Sequence, residues 1–158
     1  MDADCLVKLT KAGAKEAIVS AMEVHIPLLV KKETVDEAKK HGYQDAFTIE
    51  DNIDKKTLHV VKHQSAKPSL LLASKGESET VSLYLNGNYD AIASDDQRFL
   101  KRLEASGIPY LTPAACIIYL HKCKSVERPV AVEMLESLKP FISREEYATA
   151  KLYIEDHL

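Results

Sequence analysis

The chain has 158 residues, 46% of them hydrophobic and 28% charged, and its 21 basic against 24 acidic side chains leave a net charge of -3. That is one domain's length with enough apolar material for a core, which excludes a disordered chain, and the mild acidity excludes a protein that coats nucleic acid by charge alone. No apolar run approaches the roughly 20 residues that span a bilayer, and the N-terminus lacks a signal-peptide pattern, so a cytoplasmic protein without a membrane partner is expected.

In chain order, short apolar runs alternate with stretches of helical period. "MDADCL" reads as the end of a first strand, "AKEAIVSAME" as a helix and "VHIP" as a strand. "LLVKKETVDEAKKHG" follows as a helix stopped at Gly42, then "DAFTIEDNI" as another. "LHVVK" reads as a strand, "ESETVSLYLNGN" as a helix stopped by Gly87, and "YDAIAS" as a buried strand. "DQRFLKRLEASG" is a helix ended by Gly107, and "IPYLTP" a last short strand. This alternation predicts an α/β domain with a central, mostly parallel sheet.

Beyond Pro113 the pattern is helical throughout. "PAACIIYLHKC" is apolar almost all round, so it is expected to be buried or packed on a second copy of the chain. Pro129 suits the first turn of a helix presenting Val130, Met134, Leu135 and Leu138. Ser143 and Glu146 form a capping-box signature for a final helix with Tyr147, Ala150 and Ile154 on one face. The organisation expected is a single domain, with its core at 2–120 and a helical extension at 121–158.

Cys5, Cys116 and Cys123 are odd in number and lack C-x-x-C spacing, which reads as reduced thiols. Cys116, His121 and Cys123 could suggest a metal cluster, but "IIYLHK" between them reads as helix. His59 and His63 stand in a strand-like run, where their spacing makes no shared helical face, and are expected to be solvated surface histidines.

Chemistry is sought where the carboxylates collect. In an open parallel sheet, ligands bind beyond the carboxyl ends of the strands. Asp2 and Asp4 stand at the end of the expected first strand, and Asp95 and Asp96 follow "AIAS". Glu33 in "LLVKKETV" and Glu77 or Glu79 in "KGESETV" open or enter helices. Each also has a local explanation: Ser94 with Gln97 is itself a capping box, and acids in a first helical turn are favoured by the helix dipole. Gathered into one pocket, however, carboxylates about 4 Å apart would repel by roughly 4 kcal/mol per pair at an effective dielectric of 20. Oxygen donors without histidine or cysteine select a hard cation, Mg²⁺ or Mn²⁺, and such sites serve phosphoryl chemistry.

With these motifs on the page, the sequence resembles a PIN domain, the fold of many metal-dependent ribonucleases and of the toxin nucleases of toxin-antitoxin pairs. The resemblance covers about residues 2–120. Asp2 in "DADCLVKL" matches the family's first acid, Glu33 in "VKKETV" the second, and Glu79 or Glu77 in "GESETVSLYL" the third. Asp96, or Asp95, in "IASDDQRFLKRL" matches the fourth, with Ser94 as the usual small hydroxyl residue. One departure stands out: only Met1 precedes Asp2, so the first strand is either begun late or severely shortened.

The resemblance implies a three-layer PIN-like sandwich and an endoribonuclease. Asp2, Glu33, Glu79 and Asp96 would hold one or two Mg²⁺ or Mn²⁺ ions, with Asp4 and Asp95 as neighbours or alternative ligands, and Ser94 would orient an acid. Lys8, Lys11, Lys31 and Lys32 near the first acids, and Arg98, Lys101 and Arg102 after the last, would meet the phosphates of a single-stranded RNA. An antitoxin partner and a homodimer are implied in the same way. Two other readings compete. One is a PIN fold kept as an RNA- or protein-binding module with weak or no catalysis. The other is a haloacid-dehalogenase-like phosphatase with Asp2 as nucleophile and Asp4 as acid-base, although Leu6 stands where that family expects Thr or Val.

Overall fold

The computed structural model describes residues 1–62 and 75–156, so His63 lies outside the described residues. Asp2 opens the first helix, α1 (Ala3–Lys11), as its N-cap, with Oδ1 accepting from the Cys5 N–H at 2.9 Å. The expected first strand is therefore corrected: the apolar run Cys5, Leu6, Leu9 has helical spacing and buries one face of α1, and the capped helix claims everything after Asp2. α2 (Lys15–Ala21) leads into β1 (Val24–Pro27). Next come α3 (Leu28–Lys31), a π-helical segment (Lys32–Glu37) and α4 (Ala38–Lys40), with Gly42 ending the run in the left-handed region at φ +74°.

α5 (Gln44–Asp54) precedes β2 (Leu58–Val61), and α6 (Lys75–Asn86) precedes β3 (Ile92–Ala93). α7 (Gln97–Ala105), β4 (Tyr110–Leu111), α8 (Pro113–Lys122), α9 (Arg128–Leu138) and α10 (Arg144–Asp156) complete the described chain. Among the described residues no helix is long and apolar enough to cross a membrane.

Among the described residues the strand pairing is parallel, as the alternation predicts, and forms two two-stranded sheets, β1 with β2 and β3 with β4, where one central sheet is expected. Two residues join them. The Met1 ammonium donates to the β1 carbonyl of His25 at 2.9 Å, and the Asp2 N–H donates to the β3 carbonyl of Ala93 at 2.9 Å. Met1 and Asp2 thus stand where a middle strand would run. Among the described residues they supply one bond to each side and no ladder.

Most helices pack into one large core containing Leu6, Leu9, Ile18, Ile26, Ile117 and Leu135, whereas Phe99, Leu100, Leu103, Val81 and Ile92 form a smaller second core between α6, α7 and β3. α8, offered by its sequence as buried or as an interface, is packed against α2, α9 and α10 of its own chain, with Ala114, Cys116, Ile117 and Leu120 buried. In α9 the buried face is Ala131, Leu135 and Leu138, while Val130 is exposed. Lys15 is buried at 4% exposure. It keeps its charge solvated by donating to Asn52, Glu16 and, at 3.0 Å, the Thr48 carbonyl, which ties α2 to α5.

Candidate functional site

The carboxyl ends of β1 and β3, with the turn at Asp2 between them, present acids from four elements. Asp2 is the most constrained. Its Oδ1 caps α1 and its Oδ2 accepts from the hydroxyl of the fully buried Ser94. Burial pushes the Asp2 carboxyl above its usual range and outweighs the opposing pull of the Ser94 and Cys5 donors and of the N-terminal ammonium; Asp4 adds to the rise. The fold therefore holds a carboxylate at a place that penalises its charge.

Glu33 projects from the π-helical segment, a conformation the plain helical reading of "LLVKKETV" did not anticipate. Its carboxyl is also raised, first by burial and then by the like charges of Glu37, Glu79 and Asp2. The like charges of Glu79 and Asp2 thus reach Glu33 from other elements of the chain, but among the described residues no three of these acids bring ligand atoms within 4.8 Å of one another. Glu79 on α6 has an oxygen 3.4 Å from the Leu29 N–H at the start of α3, which aims it at the same place. Glu77, the alternative third acid, turns the other way and accepts from the Arg102 guanidinium at 2.7 Å.

Ser94 takes one of its two expected roles, orienting an acid, and leaves the cap of α7 to an aspartate. Asp96 is the N-cap: its Oδ1 accepts from Arg98 N–H at 2.8 Å and Phe99 N–H at 2.9 Å. Both bonds fall on Oδ1, leaving Oδ2 of this exposed side chain for a ligand. Ser94 instead bridges, donating to Asp2 while accepting from the Asp96 N–H at 3.2 Å. Asp95, with a side chain only 8% exposed, pairs with Lys8, which also holds Asp4 at 2.8 Å. Burial alone would lower the Lys8 ammonium, but the bonds to Asp4 and Asp95 outweigh it and raise it.

Glu146 of α10 lies in reach of this group and is raised by burial, while its bond from the Ala114 N–H at 3.0 Å works the other way. Asp4, Lys8 and Asp95 thus make an ion-pair group linking α1 to the loop before α7. The other expected phosphate contacts divide. Lys11 lies over the Phe141 ring at 5.6 Å, Lys31 pairs with Asp36 at 2.7 Å and Arg102 with Glu77, while Lys32, Arg98 and Lys101 stand exposed.

Because Ser94 satisfies both the Asp2 carboxylate and the Asp96 amide, Ser94→Ala is expected to cost about 1–3 kcal/mol, the penalty for stranding buried polar partners. Urea denaturation measures it, and a loss below about 0.5 kcal/mol would show the bridge to be incidental.

A cavity of about 800 Å³, lined by Met1, Met22, His25, Tyr89, Ala91 and Tyr119 among others, runs from the start of β1 to Ala93 and Leu111 at the ends of β3 and β4. It is distinct from the acids. On this side the sequence reading missed a juxtaposition: His59, expected to be solvated on its own, stands directly opposite His25 in the β1–β2 register, their ring centroids 4.9 Å apart. Both sit in the pattern apolar–His–apolar, the one signal in the sequence that could have suggested pairing. Of the thiols, Cys116 lines this cavity and lies buried beside Cys5, while Cys123 is exposed after α8.

Acids from separate elements stand beyond the ends of parallel strands in an α/β domain. The family model described as a PIN domain matches residues 1–151, and the chain belongs to that family. The haloacid-dehalogenase reading falls with this membership. No curated protein and no solved structure matches the chain.

Proposed function

We propose that this PIN domain is a Mg²⁺- or Mn²⁺-dependent endoribonuclease acting on single-stranded RNA. The observation that carries the proposal is the bridge made by Ser94, which donates to Asp2 and accepts from the Asp96 N–H, holding two acids from different elements together beyond the end of β3. Oxygen donors without histidine or cysteine fit a hard divalent cation, whose binding would have to draw these carboxylates closer together. Asp2, Glu33 and Glu79 would hold it, with the free Oδ2 of Asp96 at the rim. When bound, the ion would supply charge neutralisation for a phosphodiester and acidify its attacking water.

The chain's own residues do the rest. Ser94 fixes the Asp2 carboxylate in one orientation, and the π-helical segment presents Glu33. Asp96 sits at the start of α7, and the exposed Arg98, Lys32 and Lys101 are the phosphate contacts of this reading, since Lys8 and Lys11 are engaged within the fold. Contacts of that kind set register and salt dependence without reading sequence. A toxin-like role with an antitoxin partner, or a homodimer, belongs to the same proposal.

Millimolar Mn²⁺ is expected to raise the Tm of the chain and to permit cleavage of a labelled single-stranded RNA, and Asp96→Asn to remove both effects. Absence of both the shift and the cleavage would sink the proposal. A shift without cleavage would leave a PIN fold that binds metal and does not hydrolyse.

A further inference from the structure

At the other end of β1 the donor chemistry changes from oxygen to nitrogen. His25 and His59 are register partners on adjacent parallel strands, so their side chains leave the same face of the sheet. Glu23 precedes His25 by two positions and, by the alternation of extended chain, shares that face; its Oε1 lies 2.9 Å from His25 Nε2. One donor atom from each of Glu23, His25 and His59 lies within 4.8 Å of the other two. A tetrahedral ion with bonds of about 2.0–2.1 Å needs donors about 3.4 Å apart, a closure within reach of side-chain rotation.

Tyr89 completes the arrangement. Its hydroxyl lies 3.0 Å from His25 Nδ1, the nitrogen that would not ligate, which is the outer-shell contact that fixes the orientation of a ligating imidazole. Gly87 makes room for it, since a Cβ at that position would collide with the Tyr89 ring. Two imidazoles and one carboxylate are the donor set of zinc and its neighbours rather than of magnesium, and three protein ligands leave a fourth position for water.

We propose that Glu23, His25 and His59 form a transition-metal site for Zn²⁺ or a similar borderline cation, separate from the carboxylate site and tying β1 to β2 at the rim of the 800 Å³ cavity. The site uses none of Asp2, Glu33, Glu79 or Asp96, so its fate is independent of the nuclease reading.

The test is a titration of the chelator-treated chain with Zn²⁺, followed by calorimetry, and with Co²⁺, followed by its visible ligand-field bands, both in millimolar Mg²⁺ to occupy the carboxylates. One equivalent bound with tetrahedral Co²⁺ bands is expected. His59→Ala and His25→Ala should each weaken binding by at least about tenfold and abolish the bands. Glu23→Gln, a change on a side chain 77% exposed and so harmless to folding, should weaken binding too, while Asp96→Asn leaves it unchanged. Failure of Zn²⁺ to bind below millimolar, or binding that survives both Glu23→Gln and His59→Ala, would overturn the proposal.

Discussion

Asp2→Asn is expected to cut metal-dependent RNA cleavage by at least about a hundredfold, since a metal contribution of several kcal/mol converts at about 1.4 kcal/mol per tenfold. The same change is expected to raise the Tm at pH 7 in the absence of divalent ions. Both effects have one cause: burial holds the Asp2 carboxyl above its ordinary value, so the native state prefers it protonated. A group with a raised native pKa adds stability below its unfolded pKa and loses it as pH rises through the native one. Asparagine imitates the uncharged form and caps α1 with its one carbonyl oxygen, while its Nδ2 donates to the Ser94 hydroxyl where Asp2 accepts from it.

The gain in Tm should therefore appear above the ordinary carboxylate value of 3.8 and vanish below it. Melting curves of both proteins at neutral and strongly acid pH measure it. A lower Tm for Asp2→Asn at pH 7 would show that the carboxylate is stabilising and that its charge is not what the site holds in reserve. Added Mn²⁺ should reverse the ranking, because only the native chain gains a ligand for the ion.

The second large effect is expected from Phe99→Ala. Phe99 is fully buried at the centre of the smaller core with Val81, Ile92, Leu100 and Leu103. Truncation there removes apolar burial and leaves a cavity in a cluster too small to collapse around it, at a cost of about 3–5 kcal/mol. For a chain of this size that is a fall in Tm of roughly 6–20 °C.

Function should suffer with it, because the Phe99 N–H is one of the two donors that Asp96 caps. Loosening α7 frees the fourth acid from its place. Thermal melts and Mn²⁺ titration of the same variant measure the two consequences; an unchanged Tm would mean that the second core carries no cooperative stability.

Elements of strong period were legible in the sequence because their information is local. "VHIP", "LHVVK", "AIAS" and "IPYLTP" hold the four strands, and Gly42 and Gly107 stop helices with the left-handed φ that only glycine adopts without strain. The acids were legible as a set, since strand ends followed by Asp or Glu recur along the chain. Their partition was not. Glu77 and Glu79 differ by two positions on one helix, and only the placement of Arg102 on α7 draws Glu77 away.

Asp95 and Asp96 are adjacent, and the sequence left Ser94 two roles, capping α7 or orienting an acid. The tertiary bond from Ser94 to Asp2 takes that hydroxyl, so the capping falls to Asp96. Lys8 looked like a phosphate contact until Asp95 arrived from the far end of β3.

The sequence by itself determined the α/β alternation, the family and the inventory of oxygen donors, because residue type and period are enough for those. Only the tertiary structure decided that the middle of the sheet is carried by single bonds from Met1 and Asp2, and that His25 meets His59. Strand register is a property of two distant segments at once, and no local pattern specifies which residue of one faces which residue of the other.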